Sequence, residues 1–108
     1  MKSIHEGDDK IKEAKLQIFW ARFESLKMNE DEDIVAYMLK VNEVINAIRG
    51  LGETIEDKII VKKVLRSLPY RFDSKVSTIK EEKDLNVFSL DEMHGSLTTW
   101  EMRIVKEK

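Results

Sequence analysis

The sequence predicts an all-α domain, a compact bundle of about five short helices, on three observations. Apolar residues recur at three- and four-residue steps along most of the chain, helix start and stop signals punctuate those runs, and no segment alternates apolar and polar residues between hairpin turns. At 108 residues there is room for one core. No internal repeat is present.

Residues 1–7 are expected to be a flexible lead-in, and residues 8–105 the helical domain. Asp8 or Asp9 is a plausible N-cap for a first helix running to about Met28, with Leu16, Phe19, Phe23 and Leu26 as its core stripe and Asp8–Lys12 as a supporting pair. Trp20 falls on the edge of that stripe, where it caps the core rim or, as the second reading, anchors a partner.

The organising stretch is Asp31 to Pro69, two amphipathic helices around a glycine hinge. In the first of them Ile34, Met38, Val41, Ile45 and Ile48 form a buried stripe that Tyr37 and Val44 widen. The acidic run Glu30 to Asp33 suits the helix N-terminus, and Arg49 followed by Gly50 supplies a basic last turn and a left-handed stop. Thr54 and Asp57 resemble a capping arrangement for the next helix, Ile55 to Ser67, which Pro69 closes. Its core face is Ile60 or Val61, Val64, Leu65 and Leu68. Ile55 and Ile59 fall off that face and line up with Lys62, Lys63 and Arg66, so the helix has a second, mixed face. The column Lys58, Lys62, Arg66 is self-repulsive by roughly a few tenths of a kcal/mol per pair. A solvated basic face is the plain reading, and a partner surface or polyanion contact the other.

Pro69 suits the first turn of a fourth helix, Tyr70 to about Glu82, with Phe72, Val76 and Ile79 on its apolar side. Residues 83–88 form a linker whose apolar members pin it to the core. Ser89 and Glu92 make a capping box that opens a last helix with Leu90, Met93, Leu97, Trp100 and Ile104 on one face.

The composition, 42% hydrophobic and 37% charged with net charge -2, gives no overall attraction to nucleic acid or membrane. With no cysteine there are no disulfides, thiol nucleophiles or cysteine-ligated zinc. His5 and His94 have no histidine partner at helical spacing, the carboxylate runs suit helix ends, and no glycine loop cradles phosphate. No metal, cofactor, small-molecule substrate or catalysis is therefore expected. No apolar run approaches the roughly 20 residues of a membrane span, and the N-terminus has no apolar signal core. An intracellular, cytoplasmic protein or a piece of one is expected.

The runs LQIFWARFESLKM, DIVAYMLKVNEVINAIRGLG, VLRSLPYRFDSKVSTIKEEKDL and SLDEMHGSLTTWEMR, in order and at native spacing, resemble the Gag polyprotein of plant copia-type LTR retrotransposons over nearly all of residues 8–105. The LRSLP-x-x-F-D element is fairly specific to that family. The resemblance implies a structural capsid protein whose copies assemble into particles that package the element's RNA. More distantly, Glu32, Ile34, Tyr37, Met38, Lys40 and Val41 are similar to the major homology region of retroviral capsid C-terminal domains, and the helices after it follow that domain's order. Lys40 stands where those domains favour arginine, and Met28-Asn29 where they favour Gln-Gly. A lysine lacks arginine's planar fork, so the motif's hydrogen-bond network is expected to differ.

By the same resemblance the helix from Ile55 to Ser67 makes the two-fold contact, with Ile55, Ile59, Lys62, Lys63 and Arg66 at or beside it. Self-association is the expected partnership. Two other readings remain. One is a nucleic-acid-binding module using Lys58, Lys62, Lys63, Arg66, Arg71 and Lys75, weak and salt-dependent for want of net positive charge. The other is a domesticated adaptor for a foreign helix. The family's amino-terminal capsid lobe and cysteine-histidine knuckle are not in this sequence, so a piece of a longer polyprotein is expected.

Overall fold

The computed structural model describes the backbone of residues 2–107 and the side chains of residues 8–104. Five helices fill it: α1 (Lys2–Ser25), α2 (Ile34–Gly50), α3 (Asp57–Arg66), α4 (Asp73–Glu82) and α5 (Leu90–Glu107), with a single 3₁₀ turn at Tyr70–Phe72 before α4. Among the described residues there is no strand. The all-α expectation holds.

Helix α2 is the central post. Ile34, Tyr37, Met38, Val41, Val44, Ile45 and Ile48 are all buried, as the stripe predicts. Asp33 caps it, its carboxylate accepting the N–H of Ala36 at 2.8 Å and so satisfying one of the unpaired donors of the first turn. The other end departs from expectation. Gly50 remains helical, and the left-handed residue is Gly52, at φ 92°. Gly52 N–H donates to Arg49 O at 3.0 Å and Glu53 N–H to Ile48 O at 3.3 Å, the paired bonds of a Schellman ending. The helix includes Gly50 as its last residue because the position that needs a positive φ comes two residues later.

Against α2 pack α1 on one side and α5 on another, and α5 also meets α3 and the 3₁₀ turn. Phe23, Met28, Ile55, Ile60, Val61, Val64, Leu65, Phe72, Ile79, Phe88, Met93 and Leu97 complete one continuous core. Both Ile60 and Val61 are buried, so the α3 core face is wider than the spacing required. Burying a side chain such as Ile48, at 0% exposure, contributes about 1.5–3 kcal/mol.

Three further boundaries differ from the sequence reading. Helix α1 begins at Lys2 and ends at Ser25, not at residue 8 and Met28; the side chains of the expected lead-in, His5 among them, lie outside the described residues. Helix α3 begins at Asp57 behind Glu56, which offers no side-chain cap, so the Thr54–Asp57 arrangement does not form. The backbone after Pro69 makes a 3₁₀ turn before α4 proper. The Ser89–Glu92 box does form in its main half: Glu92 N–H donates to Ser89 Oγ at 3.1 Å. In the linker before it, Asp84 Oδ1 accepts Asn86 N–H at 3.0 Å, and the turn drops Phe88 into the core while Val87 stays exposed.

Trp20 is half-buried and edge-on to Phe23, with ring centroids 5.6 Å apart, which places it on the core rim. Residues 8–15 of α1 are all exposed. The chain measures 62 × 29 × 17 Å, with a radius of gyration of 16.7 Å against about 13 Å for a compact domain of this length.

Candidate functional site

Two sets of residues singled out by the sequence can be followed into the structure. The first is the motif at the start of α2. Lys40 reaches back two turns to Glu32, Nζ to Oε2 2.7 Å, and lies 5.9 Å from the centre of the Tyr37 ring. The other oxygen of Glu32 accepts the N–H of Asn29 at 2.9 Å. Lys40 and that backbone bond hold the Glu32 carboxyl below its ordinary value, against the opposing effect of burial. A point charge thus serves one carboxylate, and the planar fork is supplied from elsewhere.

That fork is Arg71, in the 3₁₀ turn. Its guanidinium donates to Glu30 O at 2.6 Å and to Glu32 O at 2.5 Å, and approaches Glu101 of α5 at 3.6 Å. Glu101 in turn accepts the N–H of Ile34, and Trp100 Nε1–H donates to Arg71 O at 3.1 Å. The loop before α2, the turn before α4 and the middle of α5 are therefore clamped at one point. Sequence reasoning missed this clamp. One signal was available: Glu101 stands four residues after Leu97 and eight after Met93, on the core stripe of α5, and a carboxylate there requires partners. Ile34 and Val41 of the motif are core residues. Tyr37 is buried, and burial pushes its phenol up; Ser67 lies beside it and pulls the other way, but turns its own hydroxyl to Lys63 O at 2.7 Å.

The second set is the mixed face of α3. Ile59 is 41% exposed in a helix whose Ile60, Val61, Val64 and Leu65 are all buried, and Lys62 and Arg66 share its exposed side. Two of the five residues expected beside a two-fold contact are not at the surface. Ile55 is 5% exposed, because the helix starts after it and an extended segment folds it into the core. Lys63 is 8% exposed, its ammonium donating to Glu24 O in the last turn of α1, where the helix's terminal carbonyls need donors. Lys58 is paired with Glu56 at 3.5 Å, and Lys62 Nζ lies 3.4 Å from Asn86 Oδ1.

The six residues proposed for phosphate contact are divided. Lys63 is inside, Arg71 belongs to the clamp, Lys75 lines a cleft with Lys83, Arg103, Asp91 and Glu92, and only Lys58, Lys62 and Arg66 remain on α3. Among the described residues no group of histidines and carboxylates is arranged to hold a metal, and no helix is long and apolar enough to cross a membrane.

Compared with known proteins, the chain matches the family model described as gag-polypeptide of LTR copia-type over residues 1–108. No curated protein and no solved structure matches it.

Proposed function

Because the chain belongs to the gag-polypeptide family of LTR copia-type elements, which its whole length matches, we propose that it is a structural, non-catalytic self-assembly module of a retrotransposon capsid. In this reading two copies meet through the outward face of α3, and the assembled particle packages the element's RNA. The observation that carries it is Ile59. An isoleucine left at 41% exposure on a helix whose other apolar residues are all buried, with Lys62 and Arg66 beside it, is an apolar centre inside a polar rim. One patch used by both copies gives an isologous two-fold contact. Ile55 and Lys63 then act from behind, fixing α3 to the core and to α1, and the contact itself falls to Ile59, Lys62 and Arg66.

This reading is favoured over phosphate binding because the six candidate cations do not share one surface, and net charge is -2. Contact with RNA by this chain is weak at most, and Lys58, Lys62 and Arg66 are the residues that would make it. The test is a dilution series followed by backbone amide NMR. The amides around Ile59, Lys62 and Arg66 move with concentration if α3 carries the contact, while the buried core around Val41 and Ile45 stays fixed. Invariant α3 signals over the whole series would refute it.

A further inference from the structure

Helix α1 carries a second apolar stripe that its own fold leaves uncovered. Ile11 and Ile18 are 56% and 53% exposed, and Ala14 and Ala21, three residues after each, are exposed too. Steps of three, four and three are the seam spacing of a two-stranded coiled coil. This seam is distinct from the face of Leu16, Phe19, Trp20 and Leu26 that packs on the core. In its frame Asp8, Lys15 and Arg22 line one edge and Lys10, Gln17 and Glu24 the other, all of them exposed.

The charges choose the occupant. When two copies of this helix lie antiparallel, Ile11 of one falls opposite Ala21 of the other, and Ala14 opposite Ile18, so that each large side chain faces a small one. The same register sets Asp8 against Arg22 and Lys10 against Glu24, each twice by symmetry. Gln17 meets Gln17 near the axis, and Lys15 meets Lys15, the one like-charged encounter, on side chains long enough to splay into water. A parallel pair would instead set Lys10 against Lys15 twice, and would stack isoleucine on isoleucine and alanine on alanine. Edge charges set orientation in such pairs.

We propose that the outward face of α1 is a second self-association surface, pairing antiparallel with the α1 of another copy about an axis near Leu16. It rests on residues separate from the α3 face. Two different two-fold contacts on one protomer carry assembly beyond the dimer, to an extended array or, where the two axes intersect, a closed ring of dimers.

The chain has no cysteine, so single cysteines report the pairing directly. In the full chain carrying Ile59→Asp, which silences the α3 contact, Gln17→Cys and Asp8→Cys are each treated with a short bismaleimide. An antiparallel pair holds the two Gln17 positions together and the two Asp8 positions roughly 20 Å apart along the axis. Gln17→Cys is expected to give linked dimer about tenfold faster than Asp8→Cys, through its higher effective concentration. Adding Ile18→Asp, an exposed site whose fold is checked by circular dichroism, removes that difference. Equal rates at the two positions, as in a parallel pair or random collision, or no linked dimer from either, would overturn the proposal whatever the fate of the α3 contact.

Discussion

The carboxylate of Glu101 receives the backbone N–H of Ile34 on both of its oxygens, each at 3.1 Å, across 67 residues of sequence. The bond ties the middle of α5 to the first turn of α2, where donors lack intrahelical partners and the helix dipole favours an anion. Replacing Glu101 by Gln keeps the shape and removes the charge. We expect a loss of about 1–2 kcal/mol, read from the urea midpoint at constant slope. An unmoved midpoint would show that the charge is not needed there.

Arg71 serves two carbonyls and the same carboxylate from one planar group. Lysine cannot do so, and Arg71→Lys is expected to cost about 1–3 kcal/mol, leaving at least one half-buried carbonyl unpaired. Polyanion binding tells the clamp from a phosphate site. Weak heparin binding, if present, should survive Arg71→Lys in any folded sample and fall on Arg66→Ala, whereas the reverse order would return Arg71 to the phosphate-contacting set.

The Glu32 carboxyl is held below 4.5 chiefly by Lys40 and then by the Asn29 N–H. Depressed in the folded state, it contributes stability that is complete above its unfolded value near 4.5 and is lost as pH falls through its folded value. In Lys40→Met the folded value rises toward the unfolded one, so the dependence of stability on pH below 4.5 flattens. Carboxyl-carbon NMR titration of Glu32 measures the shift, and identical titrations in the two proteins would remove Lys40 as its cause.

Ile55 and Ile59 lie four residues apart and should respond oppositely to the same substitution. An aspartate at Ile55, 5% exposed, buries a charge without a partner and is expected to cost more than about 3 kcal/mol, enough to unfold much of the population. At Ile59, 41% exposed, the fold should survive within about 1 kcal/mol. Thermal melts of both variants by circular dichroism separate them, and equal melting temperatures would mean that burial does not distinguish the two.

What the sequence could and could not say divides along the same lines. Periodicity read the α2 stripe correctly, since all seven of its residues are buried, and local chemistry read the Ser89–Glu92 start of α5. Both signals are confined to a few turns of one helix. Ile55 was misplaced because a helical wheel was extended over residues that precede the helix. Lys63 was misplaced because its burial depends on a carbonyl of α1, 39 residues away. The Glu101–Ile34 and Arg71–Glu32 bonds join residues that no local pattern connects. The exposure of Ile59, Lys62 and Arg66 on the outward face of α3 was legible because an apolar residue off the core stripe shows within one helix.

The most direct test is the average molar mass in solution, by light scattering over a wide concentration range, for the unaltered chain and for Ile59→Asp. The mass of the unaltered chain is expected to climb with concentration, and that of Ile59→Asp to stay lower and rise no further than the dimer that α1 alone can hold, because an interface centre has been lost. Superimposable curves for two folded proteins would contradict self-assembly through α3.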